Sequence, residues 1–76
     1  MSTVRKRSVA IRGHRTSFSV EQDFFTELEV IAARRRISLA ALVAEIDAAR
    51  PRDANLSSAI RVFVLREVRR TAEAGD

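Results

Sequence analysis

The chain has no cysteine, tryptophan or tyrosine, and only one proline, two glycines and one histidine in 76 residues. Without cysteine, neither a disulfide nor a thiolate metal site can staple it. The single His14 and the absence of a carboxylate cluster at ligand spacing argue against a metal, and no cofactor is expected. No catalytic residue stands out either. Nothing beside His14 would orient it as a base. Glu45 and Asp47 are two apart and diverge on a helix. Gly13 and Gly75 cannot form a phosphate-cradling loop. An enzyme is therefore not expected. No apolar run approaches the roughly 20 residues of a membrane helix. The basic stretch from Met1 to Arg7 is followed by no apolar signal core. The expectation is a soluble, unprocessed, cytoplasmic protein with no membrane partner, and the lack of cysteine fits a bacterial-type cytoplasm.

A chain this short forms one domain, buries a modest core and commonly gains stability by oligomerising. Its charge is uneven. Met1 to Thr16 carries Arg5, Lys6, Arg7, Arg12 and Arg15 with no acid, while the rest holds nine basic and ten acidic residues, for a net +4. A basic arm on a near-neutral body is an electrostatic footprint for a polyanion, although basic tails are also common as solvated, disordered segments.

The pattern predicts one short strand over Arg15–Val20. Phe18 and Val20 fall on one face, Arg15, Ser17 and Ser19 on the other. Gly13 reads as a bend or bulge separating this strand from the arm. A helix follows over about Glu21–Arg35, with Phe24, Leu28, Ile31 and Ala32 at the spacing of one face. Phe25 lies off that stripe. Acids in its first turn and Arg34 to Arg36 in its last suit the dipole, so the arginines read as solvated. A second helix starts after the cap Ser38, with a stripe of Leu39, Leu42, Val43 and Ile46, and ends by Arg50 because of Pro51. A third spans about Leu56–Thr71, capped by Asn55, with Ile60, Phe63, Val64 and Val68 on one face. The division is an arm over 1–14, a core over 15–50, and a connector with a C-terminal helix over 51–76. Phe18, Phe24, Phe25 and Phe63 read as core rather than as a base-stacking platform.

A lone strand leaves its backbone groups unpaired. The simplest partner is the same strand of a second chain, antiparallel about a two-fold axis. One strand and two helices in that order resemble the ribbon-helix-helix family, the fold of the Met and Arc repressors. Thr16-Ser17-Phe18-Ser19-Val20 resembles its ribbon, Phe24, Leu28 and Ile31 its first-helix core, and Ile37-Ser38-Leu39-Ala40-Ala41-Leu42 its turn and second helix. Arg12 to Ser17, Ala44 to Arg50 and Asn55 to Leu65 are similar to a subgroup of small bacterial proteins, predicted DNA binders with a further C-terminal helix. The resemblance spans about Lys6 to Arg69. Two departures accompany it. Arg36 stands where the family often has glycine, and two of the three ribbon residues are short serines.

The resemblance implies a mostly α fold with one short strand, forming an intertwined homodimer with an intermolecular ribbon, plus a third helix. The dimer core would comprise Phe18, Val20, Phe24, Leu28, Ile31, Leu39, Leu42, Val43 and Ile46. The partner would be double-stranded DNA, with higher-order assembly on it, in the nucleoid. A two-stranded ribbon fits the major groove. Arg15, Ser17 and Ser19 would contact bases, or be plain strand surface. Arg5, Lys6, Arg7, Arg12 and His14 would contact phosphates, together with Ser38 and the amides of Leu39 and Ala40 at a helix N-terminus. Two other readings stay open. In one, the chain is an antitoxin whose C-terminal helix docks a protein partner through Ile60, Phe63 and Val64. In the other, it is a protein-interaction adaptor that has lost DNA binding.

Overall fold

The computed structural model describes residues 3–74. It runs through two strands, β1 (Val4–Ile11) and β2 (His14–Glu21), and three helices, α1 (Gln22–Arg35), α2 (Leu39–Ala49) and α3 (Leu56–Ala74). The helices lie close to their predicted positions, and α3 runs three residues further. The strand count differs. Most of the segment expected as an arm is β1, paired antiparallel with β2 from Ile11↔His14 to Val4↔Glu21.

The reason lies in the turn. Arg12 and Gly13 adopt φ of 51° and 80°. Two successive positive-φ residues make the two-residue turn whose twist matches a right-twisted antiparallel pair. Gly13 is thus the second turn residue of a hairpin and not a bend that separates an arm. β2, expected as a lone strand, therefore has a partner strand within its own chain.

β1 is hard to read because its helix-facing side holds Arg5 and Arg7 as well as Val9 and Ile11. Arg7 is accommodated by an aromatic surface. Its guanidinium lies 3.9 Å from the centroid of the Phe25 ring and donates to Gln22 Oε1 at 2.6 Å. Such a stack favours a cation over a ring face. Phe25 in turn stacks on Phe18, with centroids 6.4 Å apart. These contacts rotate the buried stripe of α1 to Phe25, Leu28, Ile31 and Ala32. Phe24, expected in the core, is only half-buried, as is Leu39.

α1 closes with Arg36 in the left-handed region (φ 59°), its amide bonded to the carbonyl of Ala33 and that of Ile37 to Ala32. This pair of bonds satisfies carbonyls left open at a helix end, and it needs the conformation glycine adopts most easily. α2 begins at Ser38, whose hydroxyl accepts from the Ala41 amide at 3.0 Å. Arg50 then leaves the helix in an extended conformation before Pro51, as expected for a residue preceding proline. Its side chain holds the connector, bonding Asp47 at 2.7 Å and the Ala54 carbonyl at 2.6 Å. α3 begins at Asn55, whose side chain accepts from the Ser58 amide at 2.8 Å.

One core joins β2 and the three helices, with half-buried Val9 and Ile11 of β1 packed against it. Phe18 and Val20 of β2, the α1 stripe, Leu42, Val43 and Ile46 of α2, and Leu56, Ile60 and Val64 of α3 are buried together. Val20, Leu28, Leu42, Val43 and Ile60 are sealed from solvent within a single chain. Seven of the nine residues assigned to a dimer core are therefore buried within one chain, and Phe24 and Leu39 are half-buried. Full burial of each such side chain contributes about 1.5–3 kcal/mol. Arg35, expected to be solvated, ties the three helices at one point. It reaches Glu45 at 3.3 Å and Glu67 at 3.6 Å, and lies 5.5 Å from the centre of Phe63.

Candidate nucleic-acid interface

Alternation along a strand sends successive side chains to opposite faces. In the hairpin this gives two unlike faces. The inner one carries Arg7, Val9, Ile11, Thr16, Phe18 and Val20, all at least half-buried. The outer one carries Lys6, Ser8 and Ala10 of β1 and Arg15, Ser17 and Ser19 of β2. In register, Lys6 stands opposite Ser19, Ser8 opposite Ser17 and Ala10 opposite Arg15. All but the half-buried Ser19 are exposed. The surface is flat, polar and basic, with short side chains between two cations.

The outer face ends at Glu21, opposite Val4. A free carboxylate there would oppose a polyanion. Arg61 of α3 donates to its Oε1 at 2.9 Å. That bond, together with its own backbone amide and the Arg61 charge, holds the Glu21 carboxyl below its ordinary pKa. The pair lies at the surface and is screened by salt. Arg61 also reaches the Ser19 carbonyl at 3.4 Å, and the Ser19 amide donates to Ser57 Oγ at 2.9 Å. β2 is thus flanked on both sides, by β1 along one edge and by the first turns of α3 at part of the other.

The expected contact residues separate. Arg15, Ser17 and Ser19 share one face as the alternation predicts. Lys6, expected at phosphates, joins them on that face. Arg5 and Arg12 are exposed at opposite ends of the hairpin, and His14 is exposed beside the turn. Arg7 is turned to the helices, with its Nε buried and unpartnered. This placement removes it from the outward-facing cations. The hairpin turn packs near Ala44, Asp47 and Ala48 in the C-terminal half of α2. Ser38, Leu39 and Ala40 lie about 12 Å further along that helix at 1.5 Å per residue, away from the turn. Ile60 and Val64, named as anchors for a protein partner, are core residues, and the exposed apolar side chains of α3 are Val62, Leu65 and Val68.

Sequence reading did not single out Ser8 and Ala10, or the supporting Ser57 and Arg61. The first two were accessible, because placing Val9 and Ile11 inward puts Lys6, Ser8 and Ala10 outward. Nothing local marks Ser57 or Arg61, whose roles arise from packing across about 40 residues.

Among the described residues no group of three His, Cys, Asp or Glu side chains could hold a metal, and no helix is long and apolar enough to cross a membrane. No curated protein and no solved structure matches the chain. A family model described as a ribbon-helix-helix domain matches residues 4–68, a span that takes in both strands, α1, α2 and most of α3. With an antiparallel two-stranded ribbon, two helices behind it and the model matched over most of its length, the chain belongs to the ribbon-helix-helix domain family.

Proposed function

We propose that the chain binds duplex DNA by laying the outer ribbon face in the major groove, and that it acts there as a transcriptional regulator. The observation that carries this is the exposed face of Lys6, Ser8, Ala10, Arg15, Ser17 and Ser19, with its one terminal acid neutralised by Arg61. Two strands about 4.8 Å apart fit a groove about 12 Å wide. Arg15 can pair with guanine O6 and N7, at about 1–3 kcal/mol of discrimination. Ser17 and Ser19 bond to several bases and discriminate less. Arg5, Arg12 and His14 flank the face and meet phosphates, and Ser38 with the Leu39 and Ala40 amides supplies a separate phosphate contact.

The homodimer belongs to this proposal, with an altered basis. Each copy brings the two-stranded pairing of β1 with β2 to that dimer. A second reading, a protein partner such as a toxin on α3, is favoured by the exposed Val62, Leu65 and Val68.

The test is retention of duplex from a random library at about 150 mM salt. Retention that falls steeply with salt supports DNA binding. With about four phosphates neutralised per chain, the slope of log K against log salt is about −3.6. No retention at any salt overturns the reading and shifts it to the α3 surface.

A further inference from the structure

The end of β1 that carries Lys6 is held at few points. Of its helix-facing residues there, Arg5 is exposed and Arg7 is half-buried. Arg7 stands opposite Phe18 in the ladder, and its guanidinium lies 3.9 Å from the centre of the Phe25 ring. It donates to Gln22 Oε1 at 2.6 Å, and Gln22 Nε2 donates in turn to Thr26 Oγ1 at 3.2 Å. The Gln22 backbone amide bonds the Thr3 carbonyl at 3.1 Å. The first turn of α1 thus grips this segment through the backbone just before β1 and again through Arg7. Across the ladder from Lys6, Ser19 is bonded by Ser57 and Arg61.

A guanidinium is a costly way to fill the place beneath β1. Its Nε is buried without a partner, a loss that an apolar side chain of similar length would not incur. Stability alone therefore does not account for it. What an arginine adds is direction. A planar fork that lies on a ring while one nitrogen bonds an acceptor is fixed in two ways at once. Lys6 is the next residue, and alternation turns it to the outer face.

From these contacts we infer that Arg7 is a positioning residue for DNA binding. Stacked on Phe25 and bonded to Gln22, it fixes the β1 backbone from the helix side so that the neighbouring Lys6 meets a phosphate. The inference rests on the DNA-binding reading and deepens it. Arg7 itself touches no DNA. It acts through Lys6, and Phe25, one layer further in, acts through Arg7. With this end of β1 loose, the Lys6 ammonium would keep its charge but spread over many positions, and ordering it on DNA would cost conformational freedom.

The experiment compares wild type, Lys6→Ala, Arg7→Met, the double variant and Phe25→Leu for affinity across a salt series, on a duplex retained from the random library. Methionine keeps a long unbranched side chain that packs on a ring through its sulfur. Phe25→Leu is an independent route to the same loss, and melting temperatures establish that each variant is folded during the assay. Losing one phosphate contact lowers the magnitude of the salt slope by about 0.9, which at about 150 mM salt is about a fivefold loss of affinity per chain. Lys6→Ala is expected to show that loss. Arg7→Met and Phe25→Leu are expected to show the same loss and the same change of slope. The double variant is expected to lose about fivefold, not the about 25-fold of two independent sites. Additive losses, with the slope lowered by about 1.8, would mean that Arg7 meets a phosphate itself, and they overturn the inference. So does wild-type affinity and slope in Arg7→Met or Phe25→Leu, whatever the melting temperature, since Arg7 would then be core packing alone. Unchanged binding by Lys6→Ala also overturns it while leaving the DNA-binding reading intact. No retention by wild type overturns both.

Discussion

β1 and β2 have equal length and pair along their whole extent, yet they are held in different ways. β2 sends Phe18 and Val20 into the core and is flanked by β1 along one edge and by Ser57 and Arg61 at Ser19 on the other. β1 has no fully buried side chain. It is held by its ladder to β2, by half-buried Val9 and Ile11, and by the stack of Arg7 on Phe25. Strand identity in this molecule therefore does not follow from apolar content. β2 is a strand because the core needs it, and β1 is a strand because β2 and the turn offer it a partner.

Substitutions can sharpen or break that contrast. The largest effect is expected from Phe18→Ala, which removes a ring packed on Phe25. A loss of about 3–5 kcal/mol is typical for such a truncation, read by urea denaturation. Val9→Ala on β1 should lose less than half as much, and equal losses would erase the distinction between the strands. Gly13→Ala comes next. A methyl group there would meet nothing within 4 Å, so its whole cost is the positive φ of 80°, about 1–2 kcal/mol. Its signature is faster hydrogen exchange at the β1 amides than at the α1 amides. Ser57→Ala removes the acceptor from the Ser19 amide, and about 0.5–1.5 kcal/mol is expected, with exchange rising at Ser19 and not along β1. The smallest effect is at Glu21. Because its folded-state pKa is lowered, its contribution is present above the ordinary carboxylate range and disappears as pH falls through the lowered value. Glu21→Gln should thus lower the melting temperature slightly at pH 7 and leave it unchanged near pH 2. A melting temperature lowered equally at both pH values would exclude the ion pair as the cause.

The same contrast explains what could be read from sequence. β2, the three helices and the caps Ser38 and Asn55 were legible because each carries its signal locally, as alternation, helical spacing or a capping residue. β1 was not, for two physical reasons. Its inner face contains Arg7, which is tolerated only because Phe25 lies beneath it, and Phe25 comes from an element 18 residues away. Its turn carries Arg12 where asparagine or aspartate would have marked a hairpin. Phe24 was expected on the stripe and Phe25 off it, the reverse of their burial, for a related reason. Both fit a stripe through Leu28, and only the ribbon and Arg7 decide between them. On the interface, the β2 row was legible from alternation. The masking of Glu21 by Arg61 was not, since 40 residues separate the pair.

The hairpin also changes how the molecule comes into being. A ribbon shared between chains forms only when two chains meet, so its assembly slows as the protein becomes scarce. Here the two strands are joined by two residues, and closing such a hairpin takes about 1–10 μs whether or not another copy is nearby. Pairing of β1 with β2 therefore involves no concentration-dependent step.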